Sequence, residues 1–570
     1  MSGPGDGTTK RTSKEPTHLD PADGHGDGPE QSGLGAGTPS VVGKELGKLI
    51  HASCTGIGRS RRGRSVMVNE RHGREGESRN PQQSFEKSDA LVVPPCKKSM
   101  NSRVTPEESM EGRGAAYGNS ASRNTLRAQN RESVATNLER IGQCAKQRKG
   151  ERFNNLLNHI RVPLLTEAYN LLRKDAAPGI DGVTWHKYGE QLDTRLRDLE
   201  GRIHRGNYHP QPVRRVHLPK GDGRTRPIGI PSLEDKIVQQ AARMVLEPIY
   251  EEMFLGFSYG FRHGRSPHGA LDALAYVIRT KKANWVLDAD IHSFYDTIDH
   301  GWLKKFVEHT IADKRLVRLL MKWLHAGVME DGELREAQVG APQGGGICPL
   351  LSNVYLHFAL DLWVTQWRKR HARGEVYIVR FADDIVMAFQ YEQDARAMRE
   401  ALSDRLAKFG LELHSEKTRV MRFGRFALGD EQRRGRRPET FDFLGLTHIA
   451  GKTRSGAFLL QRRTSRKKRV AKLKELRVEM RIRRHDPPKE QHGWLCSVLR
   501  GHYNYYGVPT NYRAMASFQH QVQQAWQRQL QRRSQRAQWT VEKRRRFEMH
   551  FPLPGPRIVH PWPESRFAGL

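Results

Sequence analysis

Cysteine is scarce: the five in 570 residues (Cys54, Cys96, Cys144, Cys348 and Cys496) are odd in number and form no C-x-x-C pair. That argues against a disulfide framework or a zinc knuckle and fits a reducing compartment. No apolar run approaches the roughly 20 residues of a membrane span, and the opening "MSGPGDGTTKRTSKEP" has no hydrophobic signal core. The chain reads as cytoplasmic, with no membrane partner. Hydrophobic residues make up only 36%, so part of the chain lacks the means to pack. Acidic residues are outnumbered too, 63 Asp and Glu against 96 Lys and Arg, for a formal net charge of +33. An excess of that size suggests a polyanionic partner, with RNA or DNA ahead of an anionic membrane. No period of 20 to 50 residues repeats, so a solenoid is not expected.

Residues 1–130 are rich in Gly, Ser, Pro, Arg and Glu, with apolar residues too scattered for a core, and read as a disordered extension. A helical period begins near "RESVATNLERIGQCAKQRKGERFNNLLNHI", where Leu138, Ile141, Phe153, Leu156, Leu157 and Ile160 recur on common faces. "RRVHLPKGDGRTRPIGIP" reads as a strand, a Gly-rich turn and a second strand. Strands and helices then alternate to about Leu446, as in an α+β domain. Beyond it, "RRTSRKKRVAKLKELRVEMRIRR" carries 12 Lys and Arg against 2 Glu around Val470, Leu473, Leu476 and Met480. A solvated helix would be served by mixed charges; one sign in such excess favours phosphate binding.

Four pieces bear chemistry. In "VYIVRFADDIVMAF" two adjacent aspartates, Asp383 and Asp384, interrupt an apolar run. The flanks predict a β-hairpin whose turn presents them at the end of a sheet, as a solvated turn or a metal site. In "NWVLDADIHSFYDTIDH" an apolar strand runs into Asp288 and Asp290, which share a face because strand side chains alternate. Either is also an ordinary strand-end carboxylate when taken alone. Together the two strand ends supply what a two-metal site about 4 Å across requires, carboxylates from separate strands. "VGAPQGGGICPLLSNVYLHFALD" sets Gly344, Gly345 and Gly346 before a helix with Pro349 in its first turn and Leu351, Val354, Tyr355 and Phe358 inward. Its glycines allow close backbone approach by a ligand or form a plain loop-to-helix turn. "PKGDGRTRP" offers Lys220 and Arg226 as a clamp for a triphosphate.

In this order these pieces resemble the reverse transcriptase domain of group II intron-encoded reverse transcriptase/maturases. The resemblance rests on "RRVHLPKGDGRTRPIGIPSLEDKIVQQA", "FLGFSYGFRHGRSPHGAL", "DADIHSFYDTIDH", "GAPQGGGICPLLSNVYLH", "RFADDIV", "LELHSEKTRVMRFG" and "FDFLGL". "WLCSVLRGHYNYYGVPTNYRAMASF" resembles the maturase region that follows. It implies a right-hand-like α+β fold, with fingers and an antiparallel-sheet palm over residues 131–447, an α-helical thumb and maturase region over 448–530, and a basic Pro-rich tail over 531–570. It implies RNA-directed DNA polymerase activity in a mobile element, copying intron RNA into DNA during retrohoming, and RNA binding that assists splicing. The implied partners are group II intron RNA, target DNA, an RNA/DNA hybrid and dNTP, in a bacterial cytoplasm; a homodimer is compatible.

Carried onto this sequence, the resemblance selects Asp290 over Asp288, because the block's metal-binding carboxylate stands five residues before an aromatic, here Tyr295. It implies two Mg²⁺ ions on Asp290 and Asp383, with the Ile291 carbonyl completing one sphere and Asp384 as a third, weaker carboxylate. One ion lowers the pKa of the primer 3′-OH and the other offsets charge on the leaving pyrophosphate. By the same resemblance Tyr295 would sense the sugar 2′ position, Lys220 and Arg226 would grip the triphosphate, Gln343 would contact the incoming nucleotide, and Lys417 is either a proton donor to pyrophosphate or a surface lysine. Phe381 stands where the family usually carries Tyr near the primer end. "APQGGG" and Cys348 depart from Thr-Pro-Gln-Gly-Gly and Ser but keep Gln343.

Two further expectations concern the C-terminal third. Arg466, Lys467, Lys468, Arg469 and Arg500 are read as phosphate contacts, and Tyr503, Tyr505 and Tyr506 as stacking groups for exposed RNA bases or as inward-packing rings. After Cys496 no cysteine remains to support a zinc-bound HNH nuclease, so second-strand priming is expected to come from another source. The alternatives are an RNA-binding splicing factor with a silent polymerase and a non-intron bacterial reverse transcriptase.

Overall fold

A computed structural model of the chain describes residues 120–219, 225–330, 333–335, 339–341, 344–534 and 539–563. The expectation of disorder for residues 1–119, and the roles expected of Lys220 and Gln343, lie outside these. The chain opens with helix α1 (Ser120–Gln147), which runs through the expected start of folded structure at 131, then α2 (Val162–Leu171), α3 (Trp185–Gly189) and α4 (Leu192–Arg205). Hairpin strands β1 (Val213–Pro219) and β2 (Thr225–Ile230) lead to α5 (Leu233–Glu251) and α6 (Pro267–Thr280). Strand β3 (Trp285–Asp290) is followed by α7 (Phe294–Thr297), α8 (His300–Thr310), α9 (Lys314–Leu324), β4 (Val328–Glu330) and β5 (Glu333–Arg335).

Helix α10 (Cys348–Leu356) passes through a π-helical turn (His357–Asp361) into α11 (Leu362–Arg370). Next come β6 (Val376–Phe381), β7 (Asp384–Phe389), α12 (Glu392–Ala407), β8 (Arg419–Arg422), α13 (Arg425–Arg433), β9 (Thr440–Phe443), β10 (Leu446–Lys452) and β11 (Phe458–Thr464). The C-terminal third is helical: α14 (Arg466–Ile482), α15 (Pro488–Tyr506), α16 (Tyr512–Gln531) and α17 (Val541–His550). Among the described residues, no helix is long and apolar enough to cross a membrane.

The strands form three sheets, β2-β1-β4-β5, β6-β7-β3-β8 and β11-β10-β9. The second is antiparallel throughout and positions the site. Its hairpin strands "VYIVRF" and "DIVMAF" are apolar without alternation because nearly every side chain is buried, which requires cover on both faces. Val286, Val379 and Val386 pack with Leu271, Leu274 and Ile278 of α6, and α12 lies against β3, β7 and β8. Helix α6 begins where its sequence says it should: Pro267 occupies the first turn and Ser266 Oγ accepts from Gly269 N at 3.0 Å.

The expected domain boundary at 447 is corrected. It falls inside β10, which continues to Lys452 and pairs with β11, so the sheeted region ends at Thr464. Leu444 and Gly445 join β9 to β10 with φ of 49° and 77°, the left-handed two-residue turn that suits strand twist. Helices α14, α15 and α16 then share a core of Leu473, Leu476, Leu495, Leu499, Phe518 and Trp526. The expected tail over 531–570 is corrected in part as well. It holds helix α17, and the stretch after it docks back: Tyr503 donates to Pro554 O at 2.9 Å, and His560 N to Gly507 O at 2.9 Å. Trp562 lies between the Arg279 and Arg462 guanidinium groups, 4.4 and 4.5 Å from its ring centre.

Candidate active site

Register alone brings the aspartates together. Asp290, last in β3, pairs directly opposite Asp384, first in β7, and directly opposed side chains in an antiparallel pair share a face. Asp383 stands between them and β6, in a two-residue loop whose other member, Ala382, has φ of 57°. Like charges opposed across a ladder destabilise it unless a cation intervenes. Lys417 supplies one, its Nζ 2.6 Å from Asp290 Oδ2. The lysine, which the sequence left open between proton donor and surface residue, thus touches the acid cluster.

The electrostatics follow from this crowding. Burial, then the Asp290 charge, pushes the Asp383 carboxyl above its ordinary range, against Arg226 and Arg380. Asp384 is pushed up to about 7 by burial and by Asp383, Asp290 and Asp288, with Lys468 opposing. It retains exposed surface, and water reaching it moderates that push without reversing it. Asp288 likewise rises to about 7, through burial and then Asp290 and Asp442, against Arg419. Unaided, this edge holds protons near neutrality that a divalent cation would displace.

The residues present fit such a cation. Their donors are hard carboxylate oxygens, and the Ile291 carbonyl is not used by the bridge beside it: His414 N donates to Asp290 O and His292 N to Glu412 O, both at 2.8 Å. Among the described residues no three His, Cys, Asp or Glu side chains form a ready-made metal cage. Hard oxygen donors are what Mg²⁺ takes, one or two carboxylates with water and substrate phosphate filling its shell.

The turn is held from beneath by a group the sequence analysis missed. Arg380, fully buried, spends its five N–H groups on five bonds: Nε to Asp361 Oδ1 (2.8 Å), Nη1 to Asn353 Oδ1 and Ala382 O (both 3.0 Å), and Nη2 to Ser258 Oγ (2.8 Å) and Asp361 Oδ2 (2.6 Å). Asp361 closes the π-helical turn, a rare geometry often found at functional sites. Asn353 in turn donates to Gly260 O at 2.7 Å. A Cβ on Gly260 would stand 2.3 Å from Ala382 N, so only glycine admits this approach. The one available signal was an arginine inside an apolar strand, with side-chain partners 19 to 122 positions away.

Around the acids lies part of the expected nucleotide site. Burial, then Asp383, raises the Tyr295 phenol to about 12, with Ser352 and Arg226 opposing. Arg226 acts on both Asp383 and Tyr295, so fingers and palm residues face each other here. Gly344, at φ 126°, abuts Gly229 O of β2, which a Cβ would meet at 2.3 Å. The close approach that its glycine permits is therefore to a neighbouring strand.

The C-terminal expectations divide. Arg466, Lys467, Lys468 and Arg500 are exposed and Arg469 half-buried. The stacking role expected of Tyr503 is corrected: the ring is 1% exposed in the helical core. Tyr505 donates to Leu444 O at 3.0 Å and Tyr506 packs at the junction of the two cores. Burial of the Tyr503 ring outweighs what transient stacking would gain.

A family model described as reverse transcriptase (RNA-dependent DNA polymerase) matches residues 218–448. Protein YkfC of Escherichia coli is 36% identical over 305 residues, 47% of this chain and 80% of YkfC. The group II intron-encoded protein LtrA of Lactococcus lactis subsp. cremoris is 34% identical over 238 residues, 41% of this chain and 39% of LtrA. Nuclear intron maturase 3 of Arabidopsis thaliana is 31% identical over 128 residues, 22% of this chain and 17% of that protein. With the acidic sheet edge between Tyr295 and Arg380, these matches place the chain in the reverse transcriptase family, among the group II intron-encoded reverse transcriptase/maturases.

Proposed function

We propose that the protein copies group II intron RNA into DNA during retrohoming, by two-metal nucleotidyl transfer, and binds the same RNA to assist its splicing. The observation that carries the polymerase reading is the register that sets Asp290 opposite Asp384 with Asp383 in the adjoining turn. Asp290 and Asp383, with the Ile291 carbonyl and Asp384 in support, would hold Mg²⁺, which supplies activation of the primer 3′-OH and offsets charge on the leaving pyrophosphate.

The chain's own groups do the rest. Arg226, with Lys220 and Gln343, grips the incoming dNTP, and Tyr295 bounds its sugar. Phe381 presents a ring to the primer end without the hydroxyl that tyrosine would add. Lys417 Nζ, held beside Asp290 in the free protein, gives its proton to the pyrophosphate. The exposed Arg466, Lys467, Lys468 and Arg500 hold the phosphates of the hybrid and of intron RNA. Target DNA and a bacterial cytoplasm complete the reading.

Primer extension on an RNA template tests it. DNA synthesis that requires Mg²⁺, stops with EDTA and vanishes in Asp290→Ala is the expected result. Wild-type protein that binds RNA yet extends no primer would leave only the splicing role.

A further inference from the structure

Phe261 is held in a conformation that bulky residues avoid, in a place where it buries little. Its φ is 57° and half its surface is exposed; a left-handed backbone strains such a side chain. The residues on either side explain why the backbone cannot relax. Gly260 is pressed against the backbone of the catalytic turn, and Asn353 holds its carbonyl. Arg262, 7% exposed, donates to Glu251 at 2.8 Å and to the carbonyls of Leu255 and Ser258 at 2.7 and 2.8 Å. With both neighbours fixed, the ring projects outward, its centre 6.4 Å from that of Phe381.

Single exposed apolar residues are common and need no account. A strained one differs, since glycine or asparagine would follow this backbone at less cost and leave no apolar ring in water. The ring has no cation or hydroxyl with which to grip phosphate. What it offers is a flat apolar face, one residue from the glycine that touches Ala382 and so beside Asp383. On a chain of net charge +33, the partner with flat faces at that point is a nucleic acid.

We propose that Phe261 is a packing platform for a base or sugar of the primer–template duplex at its growing end, paired with Phe381. The inference rests on the polymerase reading above and adds a substrate contact to it. Aromatic contacts to bases are worth enough for removal to weaken binding about tenfold.

The test uses the full chain, a labelled DNA primer on an RNA template, and anisotropy without dNTP, beside thermal melting and the KM for dNTP. Phe261→Gly should weaken duplex binding about tenfold while Tm holds or rises, because glycine relieves the strain. Phe261→Tyr should bind within about twofold of wild type. Three results would overturn the proposal: wild-type affinity in Phe261→Gly, a loss of affinity accompanied by a fall in Tm, or an effect confined to the dNTP KM. A wild-type chain that binds no duplex removes the polymerase reading together with the platform.

Discussion

The palm and the helical C-terminal third use polar and aromatic residues in opposite ways. In the palm, charges sit where burial opposes them: Asp288 and Asp384 are pushed up to about 7, and Arg380 and Asp361 are enclosed completely. Strained backbone gathers there too, at Phe261, Ser293 and Ala382. In the C-terminal third, the conspicuous aromatics are consumed by packing, Tyr503 and Trp526 among them, while Arg466, Lys467, Lys468 and Arg500 stay in water. If the acids act as proposed, the comparison teaches that function in this chain is marked by what folding alone would not choose. An aspartate opposite an aspartate is such a mark; a tyrosine in a helical core is not.

The sharpest way to break the comparison is through the palm acids. Asp290→Ala and Asp383→Ala should reduce primer extension by at least about a thousandfold, with circular dichroism and Tm preserved or improved, since a crowded charge is removed. A variant that lost Tm and activity together would place these acids with ordinary structural residues.

The support beneath the turn should behave differently, losing stability first. Asp361→Ala leaves the Arg380 guanidinium buried without its carboxylate, which costs about 3–5 kcal/mol in denaturant unfolding. An Asp361→Ala chain as stable as wild type would show that the Arg380 network is dispensable.

The basic face of α14 should affect binding alone. Replacing Lys467 and Lys468 by Ala should leave Tm unchanged and reduce the slope of log affinity against log salt by about 0.7–0.9 for each phosphate that is no longer neutralised. An unchanged slope in RNA titrations would return this helix to the solvated faces. Tyr503→Phe is the contrasting change. It removes only the hydrogen bond to Pro554 O, about 0.5–1.5 kcal/mol of stability, and should leave RNA affinity untouched.

The smallest effect is a pH dependence. Between pH about 4 and about 7 the folded chain retains protons on Asp288 and Asp384 that the unfolded chain has released, so stability falls as pH rises through that window. Asp384→Asn should flatten that fall and raise Tm at pH 8 in EDTA by about 1–2 °C. A steeper slope in the variant would mean that Asp384 is held ionised by its neighbours.

The acidic hairpin was legible in the sequence because its signals are local: a β-favouring run, two adjacent acids and a second run. The end of β3 was legible for the same reason, and "RFADDIV" with its companion blocks added the family. The Arg380 network was not, since Ser258, Asn353 and Asp361 meet it only after the chain has folded. The boundary at 447 was misplaced because β10 and β11 are half-polar strands whose pairing, not composition, defines them. The role of Tyr503 was undecidable from spacing, as an amphipathic helix can turn the same ring to RNA or to a core; the neighbouring helices decide it. Docking of residues 551–563 was equally hidden, because a Pro-rich stretch finds its partners, Tyr503 and Gly507, through backbone groups.

The claim on which the rest depends is that the opposed strand ends hold divalent cations jointly. Counting Mn²⁺ by electron paramagnetic resonance, in complex with an RNA/DNA duplex and a non-hydrolysable dNTP, tests it most directly. The account predicts two spin-coupled ions per wild-type chain, about 4 Å apart, and loss of the coupling in Asp290→Ala. A coupled pair that survives in Asp290→Ala, or a wild-type complex that binds no coupled pair, would contradict it.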